Sequence, residues 1–578
     1  MYQEHKLWPI LEEELGKTKD KDKFSVSLAK KVLRSPKEAC NPKQMASVKE
    51  SRLSFSNAFI NTFLEEKWKC SVARLEIDEN GKGEALYHLY LGNSCVAFYV
   101  LSQFDPEKSR EGRLADDYFD CMGVLFDGIP SEEDVNKERD AIKKLWKGRA
   151  GKRVLGWTLA NRSTDNCDRV VEKLLAVQKP DIEEWDAGHC YLLRNAGFYG
   201  NGKQGGMLWE ELPEGHGLRR PYFPEMLALL MWRRFGTDLV EEIASKRNPG
   251  SSKLDEAEKK LLGIGNSSGL GMVAVLSRWP WWVDAWISVR EAIIALLRTM
   301  LVEPNNSHKE IFLGELKQRS NFFKEVSDGN EEHRENPANI REQLLKLHAC
   351  LTENKMGNRG SVTSYGLSTK NYFQEVLDYA DKHMSKEAAE SVRAAAIAPF
   401  PELAKCGLAV ISKLMTPVHD IDPKQSVMQL REEINENYSW IKSHLYESSE
   451  GSKYFWYRST DNGEHRRGER EVDLGEENEI LVDIAGLIYS LLVELEKIED
   501  DYLVGELMFI RPDLRHAIER VHSLRGRPYA EIHDRPTREG FLPLWIIRFY
   551  LSALGLQIAT PKNWRWVRGV FFSNYPVI

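Results

Sequence analysis

No two of the eight cysteines (positions 40, 70, 95, 121, 167, 190, 350 and 406) stand at the C-x-x-C spacing of a zinc site or a thiol-redox pair. Long apolar runs are missing too. The two most hydrophobic windows, Ile480 to Leu495 and Phe541 to Leu556, are interrupted by Asp483 and Arg548. Both fall short of the roughly 18 uninterrupted apolar residues that cross a bilayer, so they are expected to be buried helices and no membrane partner is expected. The formal charge of -8 over 578 residues leaves no basic excess, which argues against a general nucleic-acid coat protein. A P-loop, a serine-hydrolase elbow, the kinase motif set and the zinc-protease helix are not expected in this chain. Met1-Tyr-Gln-Glu-His-Lys6 is polar and unlike a secretory leader, so a reducing cytoplasmic setting is expected.

What is present points to a mainly α protein with a minor β meander (α+β) and a multi-domain helical architecture. Length alone favours several domains. The expected division is 1–125 (N-terminal helical segment plus meander), 126–302 (central helical region with glycine-rich loops), 303–364 (polar connection) and 365–578 (C-terminal helical region). The meander is read from Val72–Ile77, Ala85–Leu91 and Cys95–Leu101, with Asn80-Gly81 as a hairpin turn that favours positive φ. Ser131 followed by Glu132, Glu133 and Asp134 signals a capped helix start.

Two glycine-rich stretches carry the best site candidates. In Gly263-Ile-Gly-Asn-Ser-Ser-Gly-Leu-Gly-Met272, a helix from Leu254 to Leu262 is expected to end at Gly263 as its C-cap. Asn266, Ser267 and Ser268 can then cap a following helix, and backbone N–H groups about Gly269 can cradle an anion. A helix placed before the glycines does not fit the dinucleotide fingerprint, which needs a strand there. A tight helix–helix joint is the competing reading. The second stretch, Tyr191-Leu-Leu-Arg194-Asn-Ala-Gly-Phe-Tyr199-Gly-Asn201-Gly-Lys203, offers Arg194 and Asn201 to bind an oxyanion. Tyr199 and Lys203 are its candidates for moving a proton. A surface hairpin with a structural arginine is the alternative.

Three further segments are weaker. Arg458 and His465 lie in a charged loop, with Arg458 for binding and His465 for proton transfer, against a simple solvated loop. Trp279, Trp281, Trp282 and Trp286 can wall a pocket, but large aromatics are more often core. His419-Asp420-Ile421-Asp422 has no second ligand cluster and reads as a capping turn, so no metal is expected. The last 68 residues hold ten arginines, and Gly526-Arg527-Pro528 between apolar elements reads as a turn, so nucleic acid is disfavoured.

Arg194 with Tyr199-Gly-Asn-Gly-Lys203, and Gly263-Ile-Gly-Asn266 with Gly269-Leu-Gly-Met272, resemble a family of bacterial proteins of unknown function, discontinuously from Asp116 to Arg298. Where that family carries Thr, this chain has Asn195 and Ser268. The resemblance implies a bacterial source and a shared site for the two loops, and no chemistry. The expected function is an enzyme acting on a small anionic metabolite or using a phosphate-bearing cofactor, with no particular cofactor assigned by motif. The alternatives are a non-catalytic helical interaction or assembly protein, with homo-oligomer formation open, and thirdly a nucleic-acid-binding protein.

Overall fold

The computed structural model describes residues 4–34, 51–103, 119–142, 153–185, 189–200, 212–266, 280–325, 335–353, 371–415, 421–439, 481–482, 484–524, 535–536, 553–558 and 569–577. Its organising element is a nine-stranded mixed sheet. The strands are β1 (Lys69–Ile77), β2 (Gly83–Leu91), β3 (Ser94–Ser102), β4 (Cys121–Asp127), β5 (Val154–Arg162), β6 (Tyr191–Gly200), β7 (Gly263–Asn266), β8 (Gln557–Ile558) and β9 (Gly569–Phe571). In space they follow the order β1-β2-β3-β4-β5-β6-β7-β9-β8. Every neighbouring pair is antiparallel except β6–β7. The fold is therefore α+β and not mainly α, since the meander read from the sequence is only one flank of a sheet that continues to β9. Gly81 adopts φ +83° in the β1–β2 turn, as the Asn-Gly pair requires.

Side chains alternate across the strands. Val96, Phe98 and Val100 of β3 face one core, while Ala97 and Tyr99 face a second with Trp157 and Val135. The first face is covered by the apolar helix Phe223–Arg247. Its Trp232 indole donates to Thr158 Oγ1 at 3.0 Å, and Tyr87 Oη donates to Asp238 Oδ2 at 3.0 Å. The opposite face is capped by helix Glu132–Ile142, whose Glu138 accepts the Trp157 indole N–H at 3.0 Å. Ser131 Oγ accepts the Asp134 N–H at 3.2 Å, the cap read from the sequence.

The helical half is built around helix Pro280–Arg298, packed on helices Tyr372–His383, Lys386–Ile397 and Pro401–Leu414. Trp282 and Trp286 are core residues whose indoles donate to Met415 O (3.0 Å) and Leu53 O (3.1 Å). Within the stretch 303–364 the chain forms helices Asn306–Glu325 and Glu335–Thr352, which pack on each other. Helix Ile484–Leu495 buries Ile488, Leu491 and Leu495. Among the described residues no single helix is long and apolar enough to cross a membrane. The bent pair Lys386–Ile397 and Pro401–Leu414, at 102°, passes on length and composition, yet much of it is packed in the core.

One polar cluster sits inside the helical half. Arg34 grips Glu291 with Nε and Nη2, each at 2.6 Å, and reaches Glu390 with Nη1 at 2.6 Å. Arg290 joins the same two carboxylates at 2.9 and 2.6 Å, and Arg393 adds a bond to Glu390 at 2.7 Å. Arg393 and Arg298 both also bond Asp381. Burial pushes the Glu390 carboxyl upward, but the guanidiniums of Arg290, Arg34 and Arg393 outweigh it and hold the group well below the usual carboxylate range. A carboxylate depressed in the folded state contributes stability above its unfolded pKa, roughly 4.3, and loses it as pH falls through the folded value. Glu390→Gln should therefore cost about 3–5 kcal/mol at pH 7 in urea unfolding, because it leaves buried guanidiniums unpaired. The loss of stability on acidification below about pH 4 should be shallower in the variant. Equal stability of variant and wild type at pH 7 would show that the cluster is energetically idle.

Candidate functional site

The β6–β7 pair is where the structure brings two of the sequence candidates together. Arg194 lies opposite Gly265, and Asn195 opposite Asn266, on adjacent parallel strands. Parallel neighbours need a crossover, here supplied by helices Phe223–Arg247 and Glu256–Leu261. As a result both strands deliver their C-terminal ends toward the same edge of the sheet. β6 runs on to Gly200, five residues past the Asn195–Asn266 pair at which β7 ends. Over that length, about 15 Å, β6 pairs with β5 on one side and has no described strand on the other. Ligands in sheets with parallel pairs favour this kind of position, beyond the strand carboxyl ends.

Arg194 is placed by its neighbours. Leu193 packs near Gly236 of the 223–247 helix, and Asn195 Nδ2 donates to Thr158 Oγ1 at 3.0 Å, the same oxygen that Trp232 uses. Both Leu192 and Leu193 approach Gly236, across a register shift between Tyr191 and Arg194, but Asn195 faces the helix through the shared Thr158 hydroxyl, and strand alternation puts the adjacent Arg194 on the opposite face. It is half-buried, with no hydrogen bond or ion pair to any described residue. Asn195, one of the two departures from the family pattern, is a buried tie between β6 and β5, bonding Leu159 O as well.

The glycines of β7 have packing reasons. Gly263 is not a helix C-cap. The helix ends at Leu261, Leu262 is already extended, and Gly263 begins the strand. A Cβ on Gly263 would stand 2.5 Å from the carbonyl oxygen of Phe571 in β9, and one on Gly265 would stand 2.8 Å from the Tyr191 ring. The glycines do permit a close approach, but of strand to strand and strand to ring, not the helix–helix joint offered as the competing reading. A strand does precede Ser267, so the flanking-helix objection to a dinucleotide fingerprint falls. The pattern still does not fit, because Gly263 and Gly265 lie inside the strand and Ser268 occupies the third glycine position.

Other positions separate as follows. Asn266 closes β7 and Tyr199 lies in β6 opposite Trp157. The side chains of both, together with Asn201, Lys203, Ser267, Ser268, Gly269, Arg458 and His465, lie outside the described residues. Two spacings begin at the ends of these strands, and the second is a serine-hydrolase-elbow spacing where none is expected from the sequence. Gly200-Asn-Gly202-Lys-Gln-Gly205 has the G-x-G-x-x-G spacing directly after strand β6, and Gly265-Asn-Ser267-Ser-Gly269 has the G-x-S-x-G spacing at the end of β7. Both are legible only once the strands are known, since each motif means little without the strand before it. The structure also shows a His216–Asp127 pair at 3.3 Å, but His216 Nδ1 accepts the Leu218 N–H as well, so both ring nitrogens are engaged. Among the described residues no group of three potential ligands could hold a metal.

A second concavity of about 1400 Å³ opens near the other ends of β6 and β7, lined by His189, Cys190, Lys260 and Leu261 just before those strands. Segment Ser573–Pro576 forms one wall. It is fixed there by Arg233, which donates to the carbonyls of Tyr575 (2.8 Å) and Pro576 (2.9 Å) while also bonding Leu262 O (2.6 Å).

Comparison with protein-family models, with curated proteins and with solved structures returns no match. Gly263→Ala should destabilise the protein by about 1–3 kcal/mol, because the obstacle is backbone and cannot swing away. Gly265→Ala should cost less in a Tyr191→Ala background than alone, read as a non-zero coupling in thermal or urea unfolding. Additive effects at 191 and 265 would refute the ring contact.

Proposed function

We propose that the protein is an enzyme that takes a small anionic metabolite, or a phosphate-bearing cofactor, at the C-terminal edge of the β6–β7 pair. The observation that carries this reading is Arg194, a half-buried guanidinium beside Gly265 with no partner among the described residues. Charges withdrawn from water are as a rule paired, so an arginine left this way favours an incoming oxyanion. The glycine spacing that follows β6 suits close approach of backbone N–H groups to phosphate. In this proposal Arg194 and Asn201 hold the anion, and the backbone about Asn266, Ser267, Ser268 and Gly269 adds donors. Tyr199, Lys203 or His465 moves the proton, and Arg458 assists binding.

Native mass spectrometry of the purified protein, followed by denaturation, tests it. A small anionic molecule should copurify, or inorganic phosphate should raise the melting temperature. Arg194→Ala should weaken either effect roughly ten- to hundred-fold, as expected for a charge-assisted hydrogen bond of about 1.5–3 kcal/mol. Unchanged ligand retention in the variant, or no ligand and no phosphate response in the wild type, would end the proposal.

A second reading, a non-catalytic interaction protein, is favoured by Phe509 and Ile510, which are 88% and 60% exposed at the end of helix Val504–Ile510. Large apolar side chains side by side in water mark contact surfaces. If that reading holds, Phe509→Ser with Ile510→Ser should convert an oligomer to a smaller species in light scattering. An identical mass in both proteins would remove self-association as its basis. The third reading, nucleic-acid binding, rests on an arginine-rich end that lies mostly outside the described residues.

A further inference from the structure

We propose that the 1400 Å³ cleft is a second binding site, separate from the β6–β7 edge, and that it takes a short peptide with free ends. Its volume exceeds the roughly 300–1,000 Å³ of ordinary small-molecule pockets, so the ligand is larger than a simple metabolite. Four features of the lining point to one class. Arg52 is half-buried on one wall and forms no ion pair or hydrogen bond with the described residues. Glu183 and Glu184 also line the cleft, exposed, and neither forms an ion pair among the described residues. Asn61 and Asn321 present side-chain amides without hydrogen bonds to the described residues. The Trp185 indole N–H is buried without a hydrogen-bond partner among the described residues.

A free peptide answers each of these. Its terminal carboxylate matches the planar fork of Arg52, and its terminal ammonium matches Glu183 and Glu184. Its backbone amides, each both donor and acceptor, match the carboxamides, and a carbonyl can accept the Trp185 N–H. A neutral oligosaccharide would leave these charges unanswered, and a nucleotide carries no cation for the two glutamates. The wall Ser573–Pro576 is held in advance, since Tyr575 Oη donates to Asn57 Oδ1 at 2.7 Å and Arg233 secures the carbonyls beyond it. Little ordering is then left for binding itself to supply.

The test uses the full chain with a tetrapeptide pool degenerate at every position, offered with free ends and, separately, N-acetylated and C-amidated. Protein and bound peptide are separated from free peptide by size exclusion, and the bound peptides are counted by mass spectrometry. Mononucleotides and neutral oligosaccharides are offered in parallel. Free-ended peptides should be retained, and capped ones should be depleted about tenfold or more, the effect of losing one charge-assisted contact. Arg52→Gln should lower retention similarly, with its melting temperature checked against wild type. Because Glu183 and Glu184 are exposed, Glu183→Gln with Glu184→Gln provides a second variant whose folding is not at issue, and it should also lose retention. Arg194→Ala should keep retention, which separates this site from the one proposed above. No peptide retained by the wild type, equal retention of capped peptides, full retention by the Glu183/Glu184 variant, or selection of nucleotides or sugars instead would overturn the inference.

Discussion

Burying several guanidiniums in one place sets a condition that the helical half has to meet everywhere at once. Arg34, Arg290 and Arg393 can stay inside only if Glu291 and Glu390 reach them with hydrogen-bond geometry, and the residues concerned come from three remote parts of the chain. Apolar contacts tolerate a helix sliding by a fraction of a turn, whereas a bidentate arginine–carboxylate pair does not. Three cations on two carboxylates leave excess charge; Asp381 bonds Arg393 and also Arg298, which has Asp378 at 3.9 Å, so four guanidiniums face four carboxylates. A cluster like this need not be the most stabilising way to fill the space. Its effect is to fix where helices 280–298, 372–383 and 386–397 sit relative to the Arg34 segment.

The position of the sheet follows from the same helix. Trp286 binds the carbonyl of Leu53, and Trp282 packs edge-on against Tyr222, which in turn meets Phe55. Tyr222 stands immediately before the 223–247 helix, and that helix is the crossover that makes β6 and β7 parallel. β7 is only four residues long and would be a poor strand alone. It persists because β9 closes against Gly263 and because Arg233 ties the end of the preceding helix to the 575–576 carbonyls. Arg194 therefore rests on a rigid platform, the arrangement that holds a binding group to a fixed geometry.

Some of this is visible in the sequence and some cannot be. Asn80-Gly81 and the alternating residues around it give away the β1–β3 meander, because a half-exposed strand has period two and its turn needs a left-handed residue. Cys121-Met-Gly-Val-Leu-Phe126 and Val154-Leu-Gly-Trp157 do not give themselves away. Both are buried on two faces, so alternation disappears and a short apolar run looks the same in a strand or a helix. Gly263 misleads for a different reason, since a glycine after a helix usually caps it and only the backbone of β9, some 300 residues on, shows otherwise. The tie of Arg34 to Glu291 and Glu390 spans 257 and 356 residues and has no local signature at all. For the candidate site, the residue types at 194 and 265 are legible. Their adjacency is not, because it depends on a parallel register across the 62 residues between Gly200 and Gly263.

How this chain treats its other arginines is what gives Arg194 and Arg52 their weight. Arg233 donates to carbonyls of two segments, and Arg34, Arg290 and Arg393 share a carboxylate cluster. Arg139 binds Glu84 and Tyr99, and Arg220 binds Glu66 and Thr62. Several guanidiniums that leave water in this fold thus meet acceptors, as the cost of desolvation demands, while Arg219 and Arg341 are half-buried with none among the described residues. Among the described residues Arg194 and Arg52 are likewise half-buried without an acceptor, one beside a glycine strand and the other in a cleft. If the chain had only to bury them, a neighbouring carboxylate would be the simplest answer, and it uses that answer repeatedly elsewhere. What sets Arg194 and Arg52 apart is their surroundings, a parallel strand pair with glycines for one and a cleft lined by Glu183 and Glu184 for the other, and on the two proposals above these differing surroundings call for two different molecules.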